Sequence, residues 1–64
     1  MMNRLREIRK ERGVAQYELS SRTKVSPAII SLIENKHVAP SDDLKRKLAK
    51  GLGVPVRKLF PRAE

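Results

Sequence analysis

The sequence contains no cysteine or tryptophan, and only one each of tyrosine, phenylalanine and histidine. Without cysteine no disulfide can form. A single histidine with no thiol cannot complete the ligand set of a structural zinc, so no metal or cofactor is expected. Long apolar runs are also missing. Nothing approaches the roughly 20 residues of a membrane span, and no membrane partner is expected. The opening Met1-Met2-Asn3-Arg4-Leu5-Arg6 leads into charge, unlike the apolar stretch of a secretory signal. The absence of thiols fits a reducing cytoplasm, where the chain is expected to act. There is no glycine-rich phosphate loop, and His37 has no Ser/Asp or Cys partner at a suggestive spacing. Asp42-Asp43 read as helix-start residues rather than an acid/base pair, so catalysis is not expected.

Acidic residues are scarce as well. Seven stand against fifteen Lys and Arg, a formal charge of +8 on 64 residues. Such an excess implies a polyanionic partner, nucleic acid ahead of an acidic membrane. The length predicts one domain over 1–64, whose core supplies only about 3–5 kcal/mol. Close helix packing or a second copy of the chain must therefore hold it together.

What is present reads as helix punctuated by turns. Leu5 and Ile8 share a face in a segment from about Asn3 to Arg12, ended by Gly13 as a C′ glycine. A second helix runs from about Ala15 or Gln16 to Arg22 or Thr23, with Leu19 as its core residue. A third begins at Ser26-Pro27, where Ser caps and Pro loses no hydrogen bond at the first helical position, and continues to about Asn35. Ser41 caps the fourth, Asp42 and Asp43 favour its positive end, and Leu44, Leu48 and Leu52 recur every four residues until Gly53. A last turn or two spans Pro55 to Phe60, and 61–64 reads as a frayed tail. No segment alternates like a strand, so the fold class is all-α.

Gln16 to Asn35 is the informative stretch. Two short helices separated by Thr23-Lys24-Val25 must cross steeply, which is helix-turn-helix geometry, with Leu19, Val25, Ile30 and Ile33 locking the angle. Together with Leu5-Arg6-x-Ile8-Arg9, Gly13-Val14-x-Gln16-x-x-Leu19-Ser20, Val25-Ser26-x-x-x-Ile30-Ser31-x-Ile33-Glu34, Pro40-Ser41, Leu48-Ala49-x-x-Leu52-Gly53-Val54 and Leu59-Phe60, it resembles the Cro/repressor-type helix-turn-helix family, also called the XRE family. The resemblance covers residues 4 to 60. It implies a compact five-helix, repressor-like fold that binds double-stranded operator DNA as a homodimer, with the third helix in the major groove.

Carried over position by position, the resemblance implies that Gln16 meets a phosphate and buttresses the recognition helix. It puts Ser26, Pro27, Ala28, Ser31 and Leu32 near bases or backbone, and Asn35, Lys36 and His37 near phosphates. Arg9 and Glu34 match a pair that forms an internal salt bridge in relatives. Tyr17 either stacks, reaches a phosphate or packs on the first helix. Relatives often have Gly where Lys24 and Lys36 stand, so left-handed backbone at either lysine would cost about 1–2 kcal/mol, set against a positive charge beside the phosphates. The helix-two alanine of relatives is Ser20 here.

The base-reading positions Pro27, Ala28 and Leu32, with Ile29 at their edge, offer no hydrogen-bonding side chain. Direct readout normally uses Arg, Lys, Asn or Gln forked onto base edges. The expectation is therefore phosphate-dominated binding, with thymine methyls as the readable base feature and DNA shape adding modest specificity. The second reading is a protein-interaction module, an antitoxin or accessory subunit that uses Ile29 and Leu32 to grip a partner helix, and nonspecific nucleoid association is a third. Lys45, Arg46, Lys47, Lys50, Arg57, Lys58 and Arg62 read equally as a solvated face.

Overall fold

The structure, a computed structural model, describes residues 3–61. Five helices follow one another: α1 (Leu5–Glu11), α2 (Gln16–Thr23), α3 (Pro27–Glu34), α4 (Asp42–Leu52) and α5 (Val56–Leu59). No strand occurs among the described residues. The tail expected over 61–64 lies, beyond Pro61, outside them.

The helix boundaries follow local chemistry. Ser26 Oγ accepts from Ile29 N–H at 3.1 Å and Ser41 Oγ from Leu44 N–H at 3.2 Å, so both expected caps form. Gly53 ends α4 with φ 70°, and Gly13 follows α1 with φ 67°. Ala15 has no side-chain acceptor, so α2 has half a capping box: Glu18 Oε1 accepts from Ala15 N–H at 3.0 Å. The first helix is shorter than expected. Asn3 stays outside it, with Oδ1 accepting from Leu5 N–H at 2.9 Å and Nδ2 donating to Ile33 O at 2.7 Å. One amide thereby caps α1 and ties it to the end of α3.

The core gathers Leu5, Ile8, Leu19, Ile30, Ile33, Leu48 and Leu59, all fully buried, with Val14, Val25, Ala49, Leu52, Val54 and Phe60 around them. α2 packs on α3 and α4, α5 packs on α4, and α1 leans on α3. Thr23 is the last residue of α2 rather than part of the turn. Its buried hydroxyl donates to Leu19 O at 2.7 Å and accepts from Val25 N–H at 3.3 Å, which keeps the helix going one residue further. The connection between α2 and α3 is therefore Lys24 to Ser26.

Candidate nucleic-acid interface

At 1.5 Å per residue, the eight residues of α3 make a rod about 12 Å long, comparable with the width of a DNA major groove. Ile30, Ile33 and Glu34 face inward. With 3.6 residues per turn, Pro27, Ala28, Ser31 and Leu32 form one continuous outer face. Pro27, Ala28 and Leu32 are exposed and Ser31 half-exposed. Ile29 is half-buried against the core, which draws it away from that face. Tyr17, near the start of α2, is 69% exposed, so it projects outward instead of packing on α1.

A buried carboxylate holds α3 in place. Glu34 has a fully buried side chain, and Arg9 grips it with two donors, Nε to Oε2 at 2.6 Å and Nη2 to Oε1 at 3.2 Å. Arg9 Nη1 also donates to Val14 O at 2.9 Å, fixing the α1–α2 loop. Gln16 Nε2 donates to Glu34 Oε1 at 3.1 Å, and Arg6 Nε lies 3.5 Å from the same oxygen. Burial pushes the Glu34 carboxyl upward, but the bond from Arg9, then that from Gln16, the Arg9 charge and the bond from Arg6 outweigh it. The carboxyl is held below its ordinary value of 4.5. Gln16 thus braces α2 against α3.

Arg6 also donates from Nη2 to Asn35 Oδ1 at 2.8 Å, and Asn35 Nδ2 donates to Ser31 Oγ at 3.4 Å. Sequence reasoning assigned no role to Arg6 or Asn3. Both act across about 30 positions of chain, a relation with no local signature.

Two lysines bracket α3. Lys24 before it and Lys36 after it both adopt left-handed backbone with φ 63° and are exposed. The strain foreseen at both positions is present, about 1–2 kcal/mol each. Asn35 and His37 are exposed beside Lys36. Lys24 also borders a cleft of about 430 Å3 between α2 and α4, shared with Arg22, Thr23, Lys47, Lys50 and Gly51, so positive charge continues from the turn onto α4. Lys47 is partly engaged there by Asp43 at 3.5 Å, an exposed pair of little energetic weight. No described helix is long and apolar enough to cross a membrane.

The site residues expected from sequence thus fall into two groups. Ser26, Pro27, Ala28, Ser31, Leu32 and Asn35 share the outer surface of α3 and its end, flanked by Lys24, Lys36 and His37. Gln16 and Tyr17 stand at the start of α2, while Arg9 and Glu34 lie beneath as a brace. Comparison with known families gives a match over residues 5–59 to the family described as helix-turn-helix. Comparison with curated proteins finds no match.

Proposed function

The chain belongs to the XRE-type helix-turn-helix family of DNA-binding regulators, and from that premise we propose that it is a repressor-like regulator that docks α3 in the major groove and holds DNA chiefly by its phosphates. The observation that carries this reading is the pair of exposed, left-handed lysines at the two ends of α3. Strained backbone persists where surrounding structure or function supports it, and here it falls on the exposed lysine at each end of α3. Gln16, Tyr17, Ser26, Asn35 and His37 extend that phosphate contact, and Pro27, Ala28, Ser31 and Leu32 approach the bases.

Each chain carries one recognition helix. Successive major-groove faces lie about 34 Å apart, so reading two of them takes two copies, and the proposed unit on DNA is a homodimer. Repression follows by occlusion: a dimer on a promoter blocks polymerase. The whole chain serves as one domain, with its core over 4–60, and acts in the cytoplasm.

The test is selection of the purified protein against random duplexes at physiological salt. Enrichment of a two-fold symmetric site is the expected result. Binding without enrichment would mean backbone recognition alone. Binding to protein instead of DNA, indifferent to salt, would favour an antitoxin-like or accessory module that uses the exposed apolar face of Pro27, Ala28 and Leu32.

A further inference from the structure

The serine hydroxyls and side-chain amides on and beside α3 are engaged within the protein. Ser26 Oγ caps Ile29, Ser31 Oγ accepts from Asn35, Asn35 Oδ1 accepts from Arg6, and Gln16 Nε2 braces Glu34. Each serine keeps one hydroxyl proton, but neither makes the two-point fork that tells one base edge from another. What α3 offers outward is carbon: the Pro27 ring, the Ala28 methyl and the Leu32 side chain, which is 38% exposed. Pro27 has no N–H to add.

Carbon distinguishes bases in one way. In the major groove it gains by covering the C5-methyl of a pyrimidine, and it cannot separate the O4 acceptor of thymine from the N4 donor of cytosine. We propose that this recognition helix reads pyrimidine C5-methyl groups rather than base identity, and so receives 5-methylcytosine much as it receives thymine. The inference rests on the proposed docking of α3 in the major groove. Covering one methyl is worth about a four-fold gain in affinity, and three apolar side chains can each add such a contact.

The test uses two pairs of defined duplexes at one salt concentration: alternating A–T with thymine or uracil, and alternating G–C with cytosine or 5-methylcytosine. Each pair differs only in the methyl. Expected is tighter binding of the methylated member of both pairs, about four-fold per contacted methyl. The Leu32→Ala variant, altered at an exposed position, should unfold at nearly the wild-type temperature while its preference shrinks in both pairs. Equal affinity within either pair would overturn the proposal. A preference undiminished in Leu32→Ala and in a second variant, Ala28→Gly, would also overturn it, because the methyl would then act through DNA shape. Failure of the unaltered chain to bind these four duplexes and those of the random selection alike would remove the DNA-binding reading itself. Salt-sensitive binding without methyl preference would remove only this inference.

Discussion

Glu34 carries its charge with no exposed side-chain surface, and Arg9, Gln16 and Arg6 make that tolerable. Removing the carboxylate charge leaves Arg9 with little solvent and no counter-ion within reach, its Nη1 bond to Val14 O aside. Glu34→Gln should therefore cost about 3 kcal/mol, seen as a large fall in thermal midpoint. Because the folded carboxyl titrates below its ordinary value, its contribution is fully present above the unfolded pKa and is lost as pH falls through the folded one. Unfolding temperature should thus stay level from neutral pH to about 5 and then drop. In Glu34→Gln that acid limb should flatten; an unchanged limb would assign the acid loss to other carboxylates. Lys36 gives the opposite case. Lys36→Gly relieves the left-handed strain, less the backbone entropy that glycine adds, for a net gain of about 1 kcal/mol. In a domain of this size that raises the midpoint by about 4–8 °C. The same variant should bind every duplex more weakly, since it loses the phosphate contact proposed for Lys36 and no base contact.

The join between α2 and α4 depends on a hydrogen. A Cβ on Gly51 would lie 2.5 Å from Thr23 Cγ2 and 3.0 Å from Leu19 Cδ1. Thr23 cannot swing aside freely, because its hydroxyl is bonded to Leu19 O. Gly51→Ala should therefore destabilise by about 1–2 kcal/mol despite the better helix propensity of alanine, measured by denaturant unfolding. A gain in stability would mean the two helices can separate without cost. Leu32→Arg, on the outer face of α3, should strengthen binding and turn preference toward guanine, checked by repeating the duplex selection. The difference between Gly51 and Leu32 also marks what sequence could convey. Ser26-Pro27, Ser41 and Gly53 act on their own neighbours, so their caps and stops were legible, as were the apolar spacings that built the core. Gly51 reads locally as a poor helix residue, and its reason lies on another helix. Asn3 and Arg6 are likewise explained only by partners on or beside α3. The Arg9–Glu34 pairing and the positions proposed to meet DNA came from resemblance, because charge and periodicity say which residues are exposed and not which of them meet.

Across the whole molecule, the excess of cations is the property a binding experiment would meet first. The chain carries +8, with Lys36 at one end of α3 and Lys24, Arg22, Lys47 and Lys50 gathered beyond the other. Four neutralised phosphates would release enough counterions that affinity should fall about a hundredfold between 50 and 200 mM salt. A titration at several salt concentrations measures this, and a flat response would place the partner outside the nucleic acids. Stability at this scale is modest, since a fold this small has few kcal/mol to spare. Two lysines in left-handed backbone take a sizeable share of it. A laboratory population selected only to survive heat should therefore exchange Lys24 and Lys36 for glycine early. It would emerge hardier and release its DNA more readily, showing that the heat resistance this chain forgoes is the counterpart of its grip.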